Sequence, residues 1–166
     1  MLSHRLLPAL LGAALLLADG YSRAAFARHV APTDACTLLT LEQVSAALEA
    51  TSQPGKHIAP TVTTACIWSD DTGASIDHRR VTLSILRPQG FDLPRQMRAM
   101  KTVPAPGIGD DAYYILYGSD SPQLMVRRGG AQFSVRVLNG FKFKAFTLDQ
   151  EKTKEATLAQ AAVKAL

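Results

Sequence analysis

Gln123-Leu124-Met125-Val126-Arg127-Arg128-Gly129-Gly130-Ala131-Gln132-Phe133-Ser134-Val135-Arg136-Val137-Leu138 is the stretch that decides the fold. Two glycines between two alternating runs read as a two-residue hairpin loop, where positive φ angles are needed. The loop sets a register: Arg128 opposite Ala131, Val126 opposite Phe133, Leu124 opposite Val135. Side chains alternate along a strand, so Leu124, Val126, Phe133, Val135 and Val137 share one face. Gln123, Arg127, Gln132, Ser134 and Arg136 take the other. One apolar and one polar face predict an antiparallel sheet covered on a single side. Just upstream, Pro106-Gly107-Ile108-Gly109-Asp110-Asp111 reads as a turn and Ala112 to Tyr117 as a third strand.

Further out, Val81 to Leu86 alternates cleanly, and Thr61 to Trp68 reads as its partner strand, with Val62, Thr64, Cys66 and Trp68 on one face. Thr51 to Pro60, with Pro54-Gly55, reads as a loop. Thr40 and Gln43 have the spacing of a capping box ahead of a helix whose stripe is Leu41, Val44 and Leu48. A second helix starts at Asp92 or Leu93, with Pro94 tolerated in its first turn. Leu93, Met97 and Met100 would face inward and Arg95, Arg98 and Lys101 outward, until Val103-Pro104-Ala105-Pro106 stops it. A last helix runs from about Asp149 to Lys164, with Leu158, Ala162 and Leu166 on one stripe. The expected fold is α+β: an antiparallel sheet of about five strands, two or three helices packed mainly on one face, order α-β-β-α-β-β-β-α, and one disulfide.

Met1 to Arg5 is a short basic start, Leu6 to Ala18 is apolar, and Ala25-Phe26-Ala27 fits a small-x-small cleavage site, so residues 1–27 read as a signal peptide. The apolar run is shorter than the roughly 20 residues of a membrane-spanning helix, so no transmembrane segment is expected after cleavage. Residues 28–35 form a leader and 36–166 a single domain. Removal of 1–27 takes Arg5, Arg23 and Asp19 and lowers the net charge from +4 to +3. That balance is mildly basic and below what nucleic-acid binding calls for. Cys36 and Cys66 both survive cleavage. An oxidising compartment and an even count favour a bridge, with buried free thiols or a reactive pair as the alternatives.

Asp34-Ala35-Cys36-Thr37-Leu38-Leu39-Thr40, followed by a helix and then Cys66-Ile67-Trp68, resembles the Cys-x-Leu-Leu-Thr and Cys-x-Trp pattern of small exported bacterial domains of unknown function, many of them lipoproteins of actinobacteria. The turn from Pro106 to Tyr113 is similar to one in the same group. The resemblance spans roughly Asp34 to Leu138 and implies an exported, disulfide-bonded α+β domain with no established activity. This chain has no cysteine just after its apolar run, unlike the lipoproteins.

No motif for chemistry stands out. There is no Gly-x-Ser-x-Gly elbow and no Cys-x-x-Cys pair. Gly107-Ile108-Gly109 leads into a strand, where a phosphate-cradling loop would lead into a helix. His29, His57 and His78 are scattered. Asp70, Asp71, Asp77 and His78 read as a solvated loop and Asp110-Asp111 as a capped turn. No metal or cofactor is expected, and no catalytic residue is assigned. What remains is charge. Arg127, Arg128 and Arg136 are the candidate anion site, Arg127 and Arg136 on the polar sheet face. Phe141-Lys142-Phe143-Lys144 is a candidate edge for a partner, its lysines also guarding against mispairing. The expected function is a non-catalytic binding or envelope-associated domain, periplasmic or secreted, meeting an anionic envelope component or an acidic protein. An envelope hydrolase with an unrecognised site, or a structural partner in an envelope complex, are the alternatives.

Overall fold

A computed structural model describes residues 32–70, 78–117, 121–140 and 146–166. Near the start, Asp34 accepts a hydrogen bond from the Cys36 N–H and opens a single 3-10 turn, Ala35–Thr37. Helix α1, Leu41–Leu48, begins at Thr40 with the capping box in place: Thr40 Oγ1 accepts from Gln43 N–H, and Gln43 Oε1 from Thr40 N–H. Val44, Ala47 and Leu48 are buried, while Leu41 is exposed.

The sheet, among the described residues, has seven strands: β1 Lys56–His57, β2 Ala65–Ser69, β3 Arg80–Ile85, β4 Lys101–Pro104, β5 Asp111–Leu116, β6 Pro122–Arg128 and β7 Ala131–Leu138. All neighbours are antiparallel, in the order β1-β2-β3-β7-β6-β5-β4. The hairpin register is the one the glycines imply: Leu124 pairs with Val135, Val126 with Phe133 and Arg128 with Ala131. Gly129 takes φ 55°. The sheet is wider than the expected five strands. β1 hides in two residues of the Pro54 to Pro60 segment, and β4 is an edge strand ending in a proline. β2 starts only at Ala65, since Val62 turns back to Ala59 through a backbone hydrogen bond, leaving Val62 and Thr64 exposed.

One face carries the main core: Cys66, Trp68, Val81, Leu83, Ala112, Tyr114, Leu124, Val126, Phe133, Val135 and Val137. Helices α1 and α3 (Leu148–Ala165) pack on it and on each other. Leu158, Ala159 and Ala162 of α3 point inward, and the Tyr114 hydroxyl donates to the Lys152 carbonyl. The second helix, α2, is one turn, Leu93–Gln96, and buries none of its own residues. Leu93 and Met97 are exposed, so their helical spacing is not a core stripe. Met97 is extended, and the chain enters β4 instead of continuing the helix. Nor do all the helices share one face. Phe91, just before α2, seats on the opposite face of the sheet against Tyr113, Ile115 and Met125. Its ring meets Tyr113 edge-on at 5.1 Å, and the Tyr113 hydroxyl donates to the Phe91 carbonyl.

Cys36 and Cys66 are bonded, tying the 3-10 turn to β2 across 30 residues. On a chain-entropy argument such a loop contributes about 3.5 kcal/mol. Gly55 lies directly against this staple: a Cβ there would sit 2.5 Å from Trp68 Nε1 and 2.7 Å from Cys66 Sγ. Trp68 is 2% exposed and has no room to retreat. Gly55→Ala is therefore expected to cost about 1–3 kcal/mol through overpacking, read as a lower midpoint in urea unfolding. An unchanged midpoint would show that the Trp68 pocket yields.

Candidate functional site

The polar side of the sheet holds most of the chemistry the sequence singled out, and it divides into two halves. At the hairpin end, acids and arginines are matched. Pairing of Asp111 with Arg127 across β5 and β6 brings them onto one face. Arg127 Nη2 donates to Asp111 Oδ2 at 3.1 Å, and Asp92 lies 3.8 Å from Arg127. Arg95, which the helical reading turned outward, instead grips Asp111 with two hydrogen bonds of 2.6 and 2.9 Å. The Arg95 and then the Arg127 guanidinium hold the Asp111 carboxyl below its usual range. Both arginines lie over aromatic rings, Arg95 at 4.0 Å from Tyr113 and Arg127 at 4.8 Å from Phe91. The cluster clamps the Phe91 segment onto the sheet. At the hairpin tip, Asp110 accepts from Gly129 N–H and from Arg128, each at 2.6 Å. The turn acids Asp110 and Asp111 thus serve arginines, and Arg127 and Arg128 are already occupied by carboxylates.

Arg136 is placed differently. It stands opposite Thr82 on β3, and four residues along β7 from Gln132, the partner of Arg127. At about 3.4 Å per residue that is about 14 Å, too far for Arg127 and Arg136 to share one small anion without bending toward each other. Arg136 Nη2 donates to Ser121 Oγ at 2.5 Å, and its guanidinium covers the Tyr117 ring at 5.2 Å. Tyr117 donates to Gln123 Oε1 at 3.1 Å, and Gln123 Nε2 donates to Ser134 Oγ at 2.9 Å. The sequence reading missed Arg80 as its neighbour. Arg80 pairs with Leu138, one step diagonal from Arg136, on the same face. Alternation of Val81 and Leu83 inward with Arg80 and Thr82 outward was the available signal. Phe141, Lys142, Phe143 and Lys144 lie outside the described residues.

The apolar side holds two acids in the core. Glu155 of α3 is fully buried and reaches the fork where β6 leaves β7. Its Oε1 accepts from the Val137 N–H at 2.9 Å. Glu151, one turn earlier, accepts from Asn139 Nδ2 at 2.9 Å. Burial, helped by Glu151, pushes the Glu155 carboxyl up to about 8. Near the disulfide, His57 Nε2 lies 2.9 Å from Asp34 Oδ1, and that contact, then the Cys36 N–H, holds the Asp34 carboxyl low. Asp34, Cys36 and His57 converge as metal ligands would, but the Cys36 sulfur is spent in the disulfide. At Asp70, Oδ1 faces His78 Nδ1 at 3.2 Å. A groove of about 390 Å³ runs between α1 and α3 over Ala46, Ala47, Leu158 and Ala161.

Comparison with protein families, curated proteins and solved structures finds no match to this chain.

Two outcomes follow from this geometry. Arg127→Gln removes a partner of Asp111 and the cation over Phe91, and is expected to lower the melting temperature, whereas Arg136→Gln, held by neutral groups, should lower it less. Circular dichroism melts compare the two, and equal melts would deny the clamp its role. Glu155 sets a pH dependence of the opposite sign to a salt-bridged acid. Its folded value of about 8 lies above the ordinary 4.5. Below that ordinary value both folded and unfolded chains hold the proton. As pH rises, the unfolded chain releases it first, so stability falls from about pH 5 to about pH 8. Glu155→Gln keeps an oxygen for Val137 and should flatten that fall in urea titrations. A fall of the same depth in the variant would show that other groups cause it.

Proposed function

We propose that this chain is an exported, non-catalytic binding domain of the cell envelope, periplasmic or secreted, that takes an anionic envelope component on the open half of its polar sheet face. The observation that carries the reading is the uneven distribution of acids on that face. Asp92 and Asp111 neutralise Arg95 and Arg127 there, while Arg80 and Arg136 have no carboxylate partner among the described residues. The Cys36–Cys66 bond suits an oxidising compartment. The signal-like residues 1–27 and the resemblance to exported bacterial domains point the same way. No described helix is long and apolar enough to cross a membrane.

Mass spectrometry of the protein recovered from the envelope or medium should find Arg28 as its first residue, and an intact 1–27 segment would overturn export with cleavage. Purified protein should sediment with isolated envelope material at low salt and release as ionic strength passes about 0.15 M, where exposed charges are screened over about 8 Å. Retention indifferent to salt, or none at all, would overturn the anionic partner.

A further inference from the structure

We infer that Arg80 and Arg136 form a subsite for a phosphomonoester dianion, an assignment that rests on the binding reading above and narrows it. Thr82 stands opposite Arg136, and Arg80 is two residues before Thr82 on the same strand, so the two arginines are diagonal neighbours on one face. Diagonal neighbours in an antiparallel pair lie about 7–8 Å apart, within reach of long side chains. Two guanidinium groups rooted there can converge on one oxyanion.

The fold leaves their donor capacity unspent. Arg136 gives one hydrogen bond, to Ser121, and stacks on Tyr117. Arg80 gives none to any described residue, and the Nε atoms of both arginines are out of solvent without an acceptor. An unpaired donor of that kind is costly unless something accepts from it. The other described arginines of this face, Arg95 and Arg127, each hold a carboxylate, so the difference is not a general property of surface arginines here.

The pair is also held in place. Tyr117, Gln123, Ser134 and Ser121 form a connected polar set around Arg136, on three strands and their flanks. A guanidinium stacked on an aromatic ring and rooted in a sheet loses little freedom when it binds. Charge selects the ligand class. Two guanidiniums carry two positive charges, and a phosphomonoester near neutral pH carries about −1.5 to −2 with three terminal oxygens. A single carboxylate or a phosphodiester would leave one charge unmatched. Thr82, on the same face, adds a neutral hydroxyl beside the pair.

Calorimetric titration of the purified protein with inorganic phosphate, dimethyl phosphate and acetate at about pH 8 tests the assignment. Inorganic phosphate should bind saturably at millimolar concentration or below, and the diester and acetate about tenfold more weakly. Arg80→Gln and Arg136→Gln should each weaken phosphate binding by about tenfold or more, as expected for loss of a charge-assisted hydrogen bond. Circular dichroism checks that both variants stay folded. Arg127→Gln should bind phosphate as the unmodified protein does while melting lower. Vesicles bearing phosphatidic acid, a monoester headgroup, against vesicles bearing phosphatidylglycerol, a diester, separate a lipid source from a soluble one. No saturable phosphate binding, or binding unchanged in both Arg80→Gln and Arg136→Gln, overturns the subsite. If envelope retention is lost in those two variants while phosphate fails to bind, the ligand class falls and the binding reading stands. If retention and phosphate binding both survive in the two variants, the anion is held elsewhere on the domain.

Discussion

The backbone ladder between β6 and β7 decides the face on which nearly every informative side chain lies. A slip of one residue would send Val126, Phe133 and Val135 into solvent and Arg127 and Arg136 into the core. The turn at Gly129 sets the ladder from one end, and Asp110 fastens it by accepting from both Gly129 N–H and Arg128. Gly109 adds a constraint of its own: a Cβ there would come within 2.5 Å of the Arg127 carbonyl, so the loop before β5 can lie close to β6 only with glycine. Register, turn chemistry and loop approach agree, which is the consistency expected of a sequence that specifies one structure.

That ladder sits in the middle of a sheet with more area than the helices can cover. α1 and α3 take one face. Among the described residues, the other is covered where Phe91 seats on Tyr113, Ile115 and Met125, and the Arg95–Asp111–Arg127 cluster holds it there. Acids have gathered where the covering needs them. Over β3 and β7 there is no such covering among the described residues, and the pattern is half-buried arginine, threonine and glutamine around a buried Ser134. A rigid polar surface with unmatched positive charge is a better place for an anion than a cluster whose charges are already paired.

The parts of this arrangement that were legible in sequence are local. The hairpin register follows from Gly129-Gly130 and strict alternation, α1 from a capping box, and the disulfide from an even pair of cysteines behind a signal-like N-terminus. The elements that were not legible depend on partners distant in sequence. β1 is two residues whose only strand signal is the neighbour they pair with, and Pro104 in β4 reads as a helix stop because an edge strand tolerates it equally well. Leu93, Met97 and Met100 have helical spacing, yet Phe91 supplies the anchor and the helix ends after one turn. The three arginines of the candidate anion site were correctly placed with respect to strand and face as far as Arg127 and Arg136 go, but their occupancy was not readable. Whether an arginine is free depends on where Asp92 and Asp111 arrive, and that is set by the β5–β6 pairing and by the path of the Phe91 segment. Glu151 and Glu155 continue the stripe of Leu158, Ala162 and Leu166 along α3, but nothing local says that a glutamate there will accept a strand N–H.

Those two glutamates also bear on whether the domain does chemistry. A buried carboxyl with a raised pKa, beside a second acid, is the kind of group that serves as a general acid. Geometry argues otherwise here. The displacement of Glu155 comes first from burial, and the same burial keeps any substrate away: the residue is 0% exposed, and its Oε1 is engaged with Val137. A catalytic acid must reach the atom it protonates, directly or through one water. Glu155 instead completes the ladder at the point where β6 and β7 part, supplying the acceptor that the missing strand carbonyl would have provided. Val137 N–H would otherwise be a buried donor with no partner, and such a group costs about 1–3 kcal/mol. A protonated glutamate meets that need without burying a charge, so the raised pKa follows from a structural role, and the functional surface is better sought on the far side of the sheet.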